Sequence, residues 1–173
     1  DLLNDVSSDV IRFVMLSRKN DVPLDFDVDL ILDKSKDNPV FYVNYAHARI
    51  HSILSKASQS GLWSEAMNKL KMVTSGSFNS QEIMILIKLS EWPNIIRQAT
   101  RYQEPHRISY YLYELSSLFH SLYQSGDKDD PYRFIIVENK VLSLQRLCLA
   151  KSIQIVIKNG LQVLGIVPLK EMY

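Results

Sequence analysis

Along most of the chain, apolar residues recur three and four positions apart, the spacing that gathers them on one face of an α-helix. Ser7 and Ser8 can cap a first helix whose Val10, Ile11, Val14 and Met15 point toward a core. Asn20 to Pro23 breaks it, and the acidic run Asp25-Phe26-Asp27-Val28-Asp29 leads into a short helix over Leu30 to Lys36. Asn38-Pro39 is a strong start signal, a capping amide followed by proline at the first helical position. It predicts a long helix reaching Ala57 or Ser58. A shorter helix is expected over Ser64 to Val73, before a Ser/Gly-rich loop. Ser80-Gln81-Glu82 restarts a helix expected to bury Ile83, Ile87 and Trp92, and Pro93 is expected to end it and begin another over Asn94 to Tyr102. Pro105 opens a long helix in which Ile108, Tyr111 or Leu112, Leu115, Phe119 and Leu122 repeat at helical spacing. Gly126 to Arg133 reads as a polar loop. The last helix, about Glu138 to Lys158, is apolar on most sides and so is expected at the centre, with Asn159-Gly160 as its C-cap. No segment alternates with period two between tight turns. The predicted fold class is all-α, a helical bundle with short connections.

Composition narrows what such a bundle can do. With 173 residues and 46% of them hydrophobic, the chain is the size of one domain with a proper core. Its 20 Lys plus Arg against 19 Asp plus Glu leave a formal charge of +1, far from the strongly basic balance of a blanket nucleic-acid binder. Any nucleic acid must therefore be held by a local surface. The richest stretch, Phe134 to Val167, is interrupted by Glu138, Lys140, Arg146, Lys151 and Lys158, so no membrane span is expected. The single cysteine, Cys148, fits a reducing compartment, and a cytoplasmic location is expected. The chain opens at Asp1, inside a helical unit, as expected of a piece of a longer protein.

Candidate chemistry is sparse. His47 and His51 lie four apart, the spacing of two zinc ligands on a helix, but no third ligand accompanies them and packing is the better reading. Cys148 sits between Leu147 and Leu149 on the most apolar helix, where a thiol is inert. The five glycines are scattered singly, which excludes a phosphate-cradling loop. No catalytic residue, metal site or bound cofactor is expected. Tyrosines are the stronger signal: there are nine, concentrated at Tyr42 and Tyr45 and from Tyr102 to Tyr123. Tyr42, Ala46 and Arg49, at i, i+4 and i+7, share one helix face and would offer a stacking ring, room for close approach and a guanidinium. By periodicity alone, boundary tyrosines with wet hydroxyls remain the commoner use of the residue.

The run Asn38-Pro39-Val40-Phe41-Tyr42-Val43-Asn44-Tyr45-Ala46-His47-Ala48-Arg49-Ile50 closely resembles the NPVYYVQYAHARI stretch of bacterial arginyl-tRNA synthetases. The resemblance continues in order along the chain. Asp9 to Phe13 with Leu16-Ser17-Arg18 is similar to the DALR-type element, and Leu24-Asp25-Phe26-Asp27 to the LDFD that follows it. Leu112 to Leu115 and Phe119 to Tyr123 resemble the family's YLYDLA…FHSFY helix, and Leu144 to Cys148, Lys158 to Leu161 and Leu164 to Ile166 its final helix. The ending Lys170-Glu171-Met172 is similar to the family's terminal motif.

That resemblance implies a division at residue 37: residues 1–37 as the tail of a catalytic half, and residues 38–173 as a DALR anticodon-binding bundle. It implies recognition of the anticodon loop of arginine tRNA, tRNA(Arg), by Tyr42, Ala46, Tyr123 and Met172. By their charge, Arg49, and after it Lys56 and Arg107, are candidates to neutralise phosphates that position the loop. The family's HIGH-type and KMSK-type motifs are missing, so ATP, Mg and ligation are expected of a catalytic domain outside this chain. The parent is expected to be a monomer with no DNA or membrane partner. Some relatives carry an aromatic residue where this chain has Asp127, and Tyr173 extends past the usual terminal methionine. The alternative is a standalone helical protein-interaction module that kept the fold and lost tRNA binding.

Overall fold

The computed structural model describes residues 6–19, 21–23, 31–33, 37–61, 78–128, 134–136 and 139–172. Five helices lie among them: α1 (Ser8–Leu16), α2 (Pro39–Gln59), α3 (Ser80–Tyr102), α4 (His106–Lys128) and α5 (Lys140–Val163). The helix expected over Ser64 to Val73, the acidic run Asp25 to Asp29, and Tyr173 lie outside the described residues. No β-strand occurs among the described residues, and no helix there is long and apolar enough to cross a membrane.

α1 starts where its caps predict, with the Ser7 hydroxyl accepting the Val10 N–H. Val10 and Val14 pack against the core as expected, but the deepest contact is another residue's. Phe13 is the residue driven fully into the core, while Met15 is exposed. An aromatic ring buries more apolar surface than a methionine, so it sets which face turns inward. Phe13 packs in the same core cluster as Val43, Ile50, Leu115 and Phe119, which joins α1 to the bundle.

α2 is initiated by Asn38. Its side-chain oxygen accepts from Val40 N–H (3.1 Å) and Phe41 N–H (3.2 Å), and its amide donates to the carbonyls of Ile31 (2.7 Å) and Asp33 (2.9 Å). One buried side chain thus caps the helix and ties it to the preceding segment. Asn38→Ala is expected to cost ~2 kcal/mol, the upper end for a lost cap, read as a shift of the urea midpoint at constant slope. No measurable shift would mean that water replaces all four bonds.

α3 runs straight through Pro93. The residues turned inward, Glu82, Ile85, Leu89, Trp92, Ile96 and Ala99, form one helical stripe on both sides of the proline, which itself faces solvent. Packing of that stripe on α4 outweighs one missing hydrogen bond. The same phase leaves Ile83 and Ile87 exposed, contrary to the expectation, and puts Glu82 inside. There its carboxylate meets Arg146 of α5 at 2.7 Å.

α5 is central, as its apolar pattern predicts, and it contacts α2, α3 and α4. It does not stop at Asn159-Gly160. Gly160 is buried within the helix, where an added Cβ would stand 2.6 Å from Leu112 Cδ2. Glycine is needed there for the close approach of α5 to α4. The turn comes at Gly165, whose φ of +74° closes the helix, with Ile166 N–H bonded to Leu161 C=O at 2.9 Å. α4 reaches Lys128, so Gly126 lies within a helix and not in the loop expected from Gly126 to Arg133.

Candidate nucleic-acid interface

Down one side of α2, Tyr45, Arg49, Ser52 and Lys56 recur at i, i+4, i+7 and i+11. Opposite them stands Tyr123 near the end of α4, and the chain's last residues bring in Glu171 and Met172. Together these side chains line an open cleft of about 440 Å³. Arg49 is at its middle. Its guanidinium carbon lies 4.2 Å from the ring centroid of Tyr45 and 4.2 Å from that of Tyr123, and it donates to the Tyr45 hydroxyl. Two rings from neighbouring helices therefore close on one cation.

The rings are held from behind. Tyr45 stacks on Phe41 (5.7 Å) and on His120 (5.4 Å), and Tyr123 packs on Phe119 (6.0 Å) and Phe134 (6.3 Å). His120 is buried beneath Tyr42 and Tyr45 and approaches the Tyr42 carbonyl through Nε2 at 3.2 Å. A carbonyl only accepts, so Nε2 carries the proton. Burial pulls the His120 pKa down to about 4, against the opposing effect of that hydrogen bond and helped by the nearby Arg49 charge. The ring is neutral at pH 7.

The tail after α5 is fastened by side chains. Arg12 donates to the Gly165 carbonyl, and Asp9 accepts the Val167 N–H at 3.0 Å. Asn44 then accepts the Leu169 N–H at 3.2 Å, and His47 Nδ1 lies 2.7 Å from the Leu169 carbonyl. Burial, foremost, lowers the His47 pKa, with the Leu169 bond opposing it. His47 thus anchors the tail, and among the described residues no group of three or more His, Cys, Asp or Glu could hold a metal. Cys148 is half-buried, which pushes its thiol pKa up and keeps it unreactive.

Of the residues expected to act, Arg49, Lys56, Tyr123 and Met172 come together in this cleft. Tyr42 lies beside it, half-buried against Tyr113 (5.2 Å) and His120 (4.4 Å). Ala46 has 0% of its surface exposed and belongs to the core. As placed, it lets α2 pack closely and presents nothing to a ligand, because the part of the shared face between Tyr42 and Arg49 is covered. Arg107 is at the other end of α4, sixteen residues and about 24 Å of helix from Tyr123, where it pairs with Glu104 and reaches Gln98. Tyr45, Ser52 and Glu171 also line the cleft, although none of them is among the residues expected to make a contact. The four-residue stripe from Tyr45 to Lys56 was the available signal for two of them.

An all-helical bundle thus carries an open cleft lined by tyrosine rings, two cations and the C-terminal tail. The chain belongs to the DALR anticodon binding domain family, whose model matches residues 43–172. It is 44% identical over 173 residues to the arginine–tRNA ligase of Ruegeria pomeroyi, and 45% identical over 178 residues to that of Rickettsia prowazekii. Each alignment covers 99% of this chain and 30% of the relative. Arginyl-tRNA synthetase of Thermus thermophilus is similar in structure with a TM-score of 0.72 and 25% identity, over 95% of this chain and 26% of that one. The chain therefore spans about a third or less of the length of these relatives. None of these relationships supports a protein-interaction module as the alternative.

Proposed function

We propose that this chain is the anticodon-reading part of an arginine–tRNA ligase. The observation that carries the reading is the cleft in which Arg49 stands between the rings of Tyr45 and Tyr123, with Met172 on the same lining. A loop base splayed from its stack needs a flat ring, an apolar wall and a hydrogen-bonding cation beside it. Tyr123 and Tyr45 supply the ring, Met172 the wall, and Arg49 and Lys56 the charge that positions the loop through its phosphates. Tyr42, half-buried at one edge, offers a further ring. Arg107 is too far along α4 to join this site. ATP and Mg serve the joining of arginine to the tRNA end in parts of the protein outside this chain. The cytoplasm is the setting, and the whole protein works as a monomer with no DNA partner.

Binding of an arginine-tRNA anticodon stem-loop, measured by fluorescence anisotropy at fixed salt, tests this. Tyr123→Ala is expected to weaken it by ~1–3 kcal/mol, the worth of one base stack on an aromatic ring, and Tyr123→Phe to retain most of it. Affinity should fall as salt rises, because phosphates contribute. Equal affinity for a stem-loop with an unrelated anticodon would refute the reading.

A further inference from the structure

The wall that the C-terminal tail adds to the cleft is set in place by two buried side chains of α2. Beyond Gly165 the tail belongs to no helix or strand. Consecutive Cα atoms stand about 3.8 Å apart, and the tail bends at Lys170 before Glu171 and Met172 reach the cleft. A slip of one residue past the clamp would therefore displace Met172 by about that distance from its place on the cleft wall. Asn44 and His47, three apart on one helix face, meet the tail at a single residue, Leu169, one taking its N–H and the other its C=O. Both are nearly buried, at 6% and 4% exposure. Asn44 is oriented in turn, since its amide donates to the Val40 carbonyl at 3.2 Å and so leaves the oxygen for Leu169. His47 must place its proton on Nδ1, because the Leu169 carbonyl only accepts.

We propose that Asn44 and His47 are positioning residues for the cleft, fixing the register of the tail so that Met172 meets Arg49 and Tyr123. The proposal rests on the cleft being the RNA site only in its binding readout. The clamp itself is a structural claim with its own readout.

The test uses the whole 173-residue chain with ¹³C-methyl-labelled methionine, which gives five resonances. His47→Leu keeps bulk and removes the donor, while His47→Asn places an amide nitrogen near the position of Nδ1. His47→Leu should move the Met172 methyl resonance toward its random-coil position and weaken anticodon stem-loop binding by about tenfold, the value of one to two hydrogen bonds. Adding Met172→Ala should cause no further loss, because both changes remove the same wall. His47→Asn should restore both readouts. An unchanged Met172 resonance in His47→Leu, or losses that multiply in the double variant, would overturn the proposal. If His47→Leu disturbs the other methionines, Asn44→Ala, which removes one clamp bond, carries the same two criteria. If the unaltered chain does not bind the stem-loop, the proposed function fails and the methyl shift alone decides the clamp.

Discussion

Arg146→Ala is expected to destabilise the chain by about 3–5 kcal/mol, the cost of leaving one member of a buried ion pair without its partner. Arg146 and Glu82 are 3% and 2% exposed, and Nε stands 2.7 Å from Oε1. The other carboxylate oxygen accepts the Asn79 N–H at 2.9 Å, while Asn79 caps the Glu82 N–H, so the same carboxylate completes the capping box of α3. Removing the guanidinium strands a carboxylate that is shut off from water and already engaged at a helix start. A domain of this kind has about 5–15 kcal/mol in total, so the variant should be close to unfolding at physiological temperature. The double replacement Glu82→Leu with Arg146→Met should be far milder, since matched apolar groups avoid the desolvation of both charges. Urea denaturation measures both. A loss under about 1 kcal/mol for Arg146→Ala would mean that water reaches the carboxylate.

Acidification should destabilise the fold through His120, by about 3 kcal/mol between pH 7 and pH 4. The folded pKa of about 4 lies below the ordinary value of 6.5. The unfolded chain therefore binds the proton first, and stability falls as pH drops through that interval. Each unit of difference is worth about 1.4 kcal/mol. His47 is lowered too and adds in the same direction. His120→Gln isolates the effect, because its amide can still donate to the Tyr42 carbonyl but has no proton to gain. The gap between the two stability curves should widen steadily below pH 6.5. Parallel curves would show that His120 is accessible to solvent.

The limits of the sequence are visible in particular residues. Pro93 carries a real local preference for a helix end, yet a stripe from Glu82 to Ala99 packs on both sides of it and the helix continues. Gly160 likewise has the local signature of a cap, and only the neighbouring Leu112 explains why glycine is needed inside the helix. Ala46 shares a face with Tyr42 and Arg49 in the periodicity, but periodicity does not say where along a face a neighbouring helix lies. Arg107 has the same charge as Arg49 but sits at the end of α4 away from the cleft, a separation that its place in the sequence does not reveal.

By itself, the sequence determined the all-helical class, the start of α2 at Asn38-Pro39, the inward stripe of α4 and the central place of α5. All of these follow from caps and spacing within a few residues of one another. It also carried the family, through the ordered run from Asn38 to Ile50. Tertiary structure alone decided which aromatic residues meet, that Arg49 stands between Tyr45 and Tyr123, and that Asn44 and His47 hold a tail more than 120 residues away. Those contacts depend on the rotation of each helix about its own axis and on how closely neighbours approach. Packing sets both, and no local pattern encodes them.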